Sequence, residues 1–417
     1  MNRKIAVLCA ALLMALTVAG AGCWRASAPG ASVPADAPVD SVPSRPPAAV
    51  SLSQSTAAAE AEAEASSTSA ATAPPESAAE GEEKESPAAA LLAKMTLEEK
   101  VGQLFLARTP NPGEPEAAVC PGGYILFAKD FGTRTADEVR GALAALQAGA
   151  KTPLLMAVDE EGGGVVRVSA DPHLRAEPFP SPQQLYAAGG LDAVEADVVE
   201  KAALLKDLGV NVNMAPVCDV AQSPKDFIYY RTFGGDGAAT AMYVDRVVYL
   251  MQEQGLGSVL KHFPGYGPNP DTHTGSAYDE RTFESFAAAD FLPFAAGIDA
   301  GADCVLMSHN VMACVDPVNP ASLSAGVHNV LRNQLHFDGV IVTDDLAMGA
   351  VMAHYTPEQA AVAAVLAGND LICTPDWQQG MAAVLQAVER GVLDEAQIDA
   401  AAARVLAWKQ ELGLLEQ

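Results

Sequence analysis

Gly339-Val340-Ile341-Val342-Thr343-Asp344 is a short apolar run, rich in β-branched residues, that ends on a carboxylate. Seven other runs resemble it: Val101–Ala107, Gly123–Phe127, Leu154–Asp159, Val210–Ala215, Ser258–His262, Cys304–His309 and Asp370–Thr374. Continuous hydrophobic runs of this length suit strands buried on both faces, as in a parallel sheet. Between them Thr135–Ala148, Gly190–Leu208, Ala238–Gln254 and Pro357–Ala367 carry the Ala/Leu/Val spacing of amphipathic helices. Thr356 before Pro357 reads as an N-cap followed by proline at the first helical position. Strand-like runs alternating with helices predict an α/β chain folded as a single (β/α)8 TIM-type barrel, with a doubly wound open sheet as the alternative.

The ends of the runs favour the barrel. Asp159, Asn213, Lys261 with His262, Ser308 with His309, and Asp344 each stand where a strand should stop. Barrel enzymes place their chemistry at this C-terminal rim. Asp344 and Asp345 are adjacent on an extended segment and should point to opposite sides, one into the barrel mouth and one to a loop or helix N-terminus. After Lys261-His262, a Pro/Gly-rich loop runs to Asp271-Thr272-His273. Residues two apart on an extended stretch share a side. The Asp271 carboxylate can therefore lie beside the His273 ring, fix its tautomer and stabilise the imidazolium. A paired histidine suits proton transfer in both directions. His262, Asp271 and His273 could also ligate a metal, but their spacing matches no zinc motif, and no metal is expected. Asp159-Glu160-Glu161 precedes a glycine run and Arg167. It is no phosphate loop, since three carboxylates would repel the anion; it reads as a close approach to a polyhydroxyl ligand or as a tight turn with a solvated acidic face.

The N-terminal part is of another kind. Arg3 and Lys4 precede an apolar stretch, and Gly20-Ala21-Gly22-Cys23 ends it with small residues before a cysteine. Residues 1–22 therefore read as a bacterial lipoprotein signal, with Cys23 as the lipidated first residue of the mature chain. Residues 23–87 are dominated by Ala, Pro, Ser, Thr and Glu and read as a disordered, acidic tether. The expected location is extracytoplasmic, anchored by lipid to the membrane or secreted. Residues 88–417 remain for one catalytic domain. With a net charge of −27, nucleic acid and anionic lipid surfaces are poor partners, because both require basic patches. Cys120, Cys218, Cys304, Cys314 and Cys373 form no C-x-x-C pair and read as buried thiols.

Four patterns from about Met95 to Leu415 resemble glycoside hydrolase family 3, and within it the β-N-acetylhexosaminidase branch. They are V-D-x-E-G-G at Val158–Gly163, R-[ST]-F-G at Arg231–Gly234, K-H-F-P-G-x-G at Lys261–Gly267 and T-D-D-L-x-M at Thr343–Met348. The resemblance implies a nucleophile at Asp344 and an acid/base dyad at Asp271 and His273 on a mobile loop. It implies substrate binding by Asp159, Arg167, Arg231, Lys261, His262 and Met348. No cofactor is implied. The implied activity is retaining exo-hydrolysis of terminal β-linked GlcNAc from cell-wall fragments or other glycans, by a chain acting as a monomer on a carbohydrate. A β-glucosidase or β-xylosidase of the same family, a β-N-acetylglucosaminide phosphorylase and a lipid-anchored solute-binding protein are the alternatives. Four departures from the family pattern touch the site: Gly164 where arginine is frequent, Tyr266 for a common histidine, a loop from Gly267 to Asp271 one residue shorter than in many relatives, and Tyr229-Tyr230 before Arg231.

Overall fold

Strand alternation separates an inner from an outer core in the computed structural model, which describes residues 86–111 and 119–415. The expected export signal at 1–22, Cys23 and nearly all of the expected tether at 23–87 fall outside these residues. The strands are β1 (Phe105–Arg108), β2 (Gly123–Leu126), β3 (Leu155–Val158), β4 (Val212–Asn213), β5 (Gly257–Phe263), β6 (Ala277–Asp279), β7 (Cys304–Met307), β8 (Asn310–Met312), β9 (Val340–Thr343) and β10 (Ile372–Thr374). Eight of them form one sheet in the order β10-β1-β2-β3-β4-β5-β7-β9. All seven pairings are parallel. A bridge between Val342 and Leu371 brings β9 against β10, so the sheet curls into an almost closed TIM-type barrel. β6 and β8 make a separate parallel pair.

Leu106, Leu155, Ala157, Val212, Val259, Leu306, Val340, Val342 and Leu371 fill the barrel interior. Their neighbours Met156, Val158, Leu260, Val305, Met307 and Ile341 point outward and pack with the surrounding helices. Both faces of each strand are covered, which is why the runs are continuous rather than alternating. Val405 and Trp408 of the helix Glu395–Glu411 belong to the interior core, so this helix stoppers one end of the barrel. The contact is close: a Cβ added at Gly257, the first residue of β5, would stand 3.0 Å from the Trp408 ring.

Two expectations are corrected by local caps. Val101–Gln103, read with the first strand, belongs to a helix Leu97–Gln103, because Thr96 and Glu99 form a reciprocal capping box ahead of it. The helix expected from Gly190 starts at Pro182, capped by Ser181, and is broken at Gly189–Gly190, where Gly190 takes φ 65°. The helix Pro357–Ala367 is as expected. Of the five cysteines among the described residues, all free, Cys314 is exposed and Cys120 half-buried rather than buried.

Candidate active site

Continuing each inward series by one step past the core predicts which side chains reach the barrel mouth. Leu106 leads to Arg108, Ala157 to Asp159, Val259 to Lys261, Val342 to Asp344 and Leu371 to Cys373. All five line one cavity of about 440 Å³ at the C-terminal rim. Arg167, Arg231, His262, Tyr266, His273, Asp345 and Met348 line it too. Eight of the nine expected catalytic and substrate-binding residues therefore share one wall. The ninth, Asp271, stands behind His273. β5 supplies two adjacent residues because its register with β7 shifts between Leu260 and Phe263, and such an irregularity re-aims side chains.

The sugar-binding candidates are locked together by charge. Lys261 Nζ lies 2.6 Å from Asp159 Oδ1 and 2.6 Å from Glu161 Oε1. Arg231 holds Glu161 through both its oxygens, at 3.0 and 2.7 Å, and approaches His262 Nε2 at 3.1 Å. His262 Nδ1 is 2.7 Å from Asp219 Oδ2. Burial alone would raise the Glu161 carboxyl, but the Arg231 and Lys261 charges outweigh it and hold the group far below the usual range. Fixed donors and acceptors of both signs around one hollow are what a polyhydroxyl ligand requires.

Asp344 sits at the floor. Its backbone N–H donates to Met307 O at 2.9 Å, and Asp345 N–H donates to Asp344 Oδ1 at 2.9 Å. Burial would raise this carboxyl; His309, His262, the Asp345 N–H and the Lys261 ammonium more than offset that and hold it below its ordinary value. Asp344 is thus a half-buried carboxylate held in its ionised form. Asp345 does not turn away from the cavity as expected. It lines the same hollow, because Arg108 clamps it at 2.6 Å and the Ala347 N–H donates to it at 2.9 Å.

His273 Nδ1 stands 2.6 Å from Asp271 Oδ1, which leaves Nε2 for proton transfer. The pairing is present, but its cause is a turn and not an extended stretch. Asp271 Oδ1 also accepts the His273 N–H at 2.9 Å, and Asp271 O accepts the Thr274 N–H at 3.2 Å. Asp171-Pro172-His173 makes the same local dyad, with Oδ1 2.8 Å from Nδ1, yet lines no part of the cavity. The D-x-H spacing builds the pair; only the position of the turn gives it a substrate to act on.

Other expectations resolve differently. Asn213 exchanges hydrogen bonds with the Glu160 backbone, at 3.0 and 3.1 Å. Ser308 is buried, and His309 bridges Ser322 and the Asp345 carbonyl; at these two strand ends Met214 and Leu306 line the cavity, and the polar side chains do not. The acidic turn after β3 is not a solvated face, since Glu160 and Glu161 are both buried. Glu160 accepts the N–H groups of Arg167 and Val168 at 2.8 and 2.7 Å, so it staples the loop that carries Arg167. Gly162 is small for a packing reason: at φ 103° its Cβ would meet Pro180 O at 2.2 Å. Glu161, Asp219, Tyr266 and Arg108 were not singled out as site residues. Two of them carry a sequence signal: Glu161 inside the quoted E-G-G, and Tyr266 as the departure inside K-H-F-P-G-x-G. Among the described residues, no group of three or more His, Cys, Asp and Glu is placed to hold a metal ion.

The chain is similar to proteins already known. A β-hexosaminidase of Xanthomonas campestris pv. campestris is 36% identical over 280 residues, covering 66% of this chain and 82% of that protein. A family 3 β-N-acetylglucosaminidase from Paenibacillus sp. str. FPU-7 superposes with a TM-score of 0.72 at 31% identity, over 78% of this chain and 64% of that longer one. A β-N-acetylhexosaminidase from Beutenbergia cavernae does so with a TM-score of 0.68 at 32% identity, over 76% of this chain and 99% of that one. Residues 96–408 match the glycosyl hydrolase family 3 N-terminal domain. With that domain spanning the barrel and the cavity at its rim, the chain belongs to glycoside hydrolase family 3 and is a glycoside hydrolase.

Proposed function

We propose that this enzyme is a retaining exo-β-N-acetylhexosaminidase that releases terminal β-linked GlcNAc from cell-wall fragments or other glycans. The observation that carries the reading is a half-buried Asp344, held ionised by its neighbours, sharing one cavity with His273 of the Asp271–His273 dyad. The names of the relatives support the sugar. In the first step Asp344 attacks the anomeric carbon, the bond to the leaving oxygen breaks, and His273 gives that oxygen its proton. In the second, His273 takes a proton from water, which displaces Asp344 from the sugar. Asp271 stabilises the imidazolium of the resting acid. Asp159, Arg167, Arg231, Lys261 and His262 hold the hydroxyls and the acetamido group, and Met348 closes the wall.

A panel of aryl β-GlcNAc, β-GalNAc, β-glucoside and β-xyloside tests the reading, run with and without phosphate. Turnover should be greatest on β-GlcNAc, yield the free sugar rather than its phosphate, and vanish in Asp344→Ala. Full activity in that variant would sink the nucleophile assignment. With this reading goes export through residues 1–22 and lipid attachment at Cys23, which cell fractionation measures.

A further inference from the structure

Tyr266, which departs from the family pattern, is tied to the acid/base turn. Among residues 270–276 only Thr272 is buried; Pro270, His273 and Thr274 are exposed. Both polar groups of Thr272 are used. Its hydroxyl is hydrogen-bonded to the Tyr266 hydroxyl, and its carbonyl accepts the Ala350 N–H at 3.2 Å. Tyr266 is itself fixed: its N–H donates to Asp219 Oδ1 at 2.7 Å, and its ring lies 5.3 Å from His262, edge to face. Burial pushes the phenol up, so it keeps its proton. On the other side the turn rests on the segment after the nucleophile, where a Cβ at Gly349 would meet His273 O at 2.7 Å. The side chain of His273 itself is 61% exposed and is hydrogen-bonded to Asp271.

We infer that Tyr266 and Thr272 are positioning residues for the acid/base step: their hydroxyl pair, with the Ala350 N–H, pins the turn so that His273 stands over the nucleophile. The inference rests on His273 acting as acid/base. The comparison within the chain is His173, which has the same aspartate pairing but no place at the cavity. Loss of the hydroxyl pair lets the turn swing, so proton delivery fails first where the leaving group needs it most. Binding of the sugar, made by other residues, is affected less.

The test compares an alkyl β-GlcNAc glycoside with an aryl one bearing an activated phenol, in the full chain. Tyr266→Phe and Thr272→Val should each lower kcat on the alkyl glycoside about tenfold more than on the aryl one, a loss matching one hydrogen bond of positioning. KM should change little, and Thr272→Ser, which keeps the hydroxyl, should restore the alkyl rate. Equal losses on both substrates, or no recovery in Thr272→Ser, would overturn the pinning role. His273→Ala, measured alongside, separates the two readings. If it shows the alkyl-selective loss while Tyr266→Phe and Thr272→Val do not, the anchor is wrong and the acid/base stands. If it loses equally on both substrates, the acid/base assignment falls and the anchor with it.

Discussion

Lys261 shows how much of the site hangs on one atom. Its ammonium is fully buried, touches two carboxylates and contributes to holding Asp344 ionised. Removing one partner of a buried ion pair leaves the others uncompensated, at about 3–5 kcal/mol. Lys261→Met should therefore destabilise the fold and also move the acid limb of kcat/KM. The sign follows from charge. Without the cation the Asp344 carboxyl rises, protonates at higher pH, and the limb shifts upward by on the order of one pH unit. A pH–rate profile on the aryl substrate checks it; an unmoved limb would detach Lys261 from the nucleophile. The positions that carry polar groups at strand ends were legible in the sequence, because a strand of period two tells which end residue continues the inward row. Their partners were not. Asp219 reaches His262 across 43 positions from a segment with no periodicity, and nothing local marks it. Tyr266 was visible only as a departure, and its hydroxyl's partner only in three dimensions.

At the scale of elements, the strands and helices around the site were readable, and the additional ones were not. The β6–β8 pair is three residues on each side, too short for a period to register. The helix Glu395–Glu411 has an almost continuous alanine face, which hides that it caps the barrel. Its Lys409 is fully buried with Gln103 Oε1 at 2.6 Å as partner, and burial pushes its ammonium down to about 7. The unfolded chain, with an ordinary lysine near 10.5, binds the extra proton between these values. Native stability should consequently rise with pH from about 7 to about 10.5. Lys409→Met should stabilise the protein at and below neutrality, and the gain should fade as pH climbs through that window. Denaturant midpoints of both proteins at pH 6, 8 and 10 read the effect. A gain that does not shrink with pH would mean the lysine is charged in place.

At the scale of the whole molecule, the chain carries a net charge of −27, while the cavity at the barrel rim sets Arg108, Arg167, Arg231 and Lys261 against Asp159, Asp344 and Asp345. With so acidic a chain, attraction of the enzyme to an anionic membrane by charge is weak. If residues 23–87 tether an anchored enzyme, the lipid on Cys23 alone must hold it. Cys23→Ala should then shift the activity from the membrane fraction to the soluble one, with specific activity kept. Retention in the membrane fraction would count against the lipid. The two margins of the described fold also meet: the Ala88 N–H donates to Gln410 Oε1 at 2.9 Å, across 322 positions. Trp408, beside it, stoppers the barrel. Contacts so distant along the chain form late. Until the helix Glu395–Glu411 docks, the inward row of the strands has no stopper at that end, so closing the interior to water depends on a segment far along the chain from the first strand.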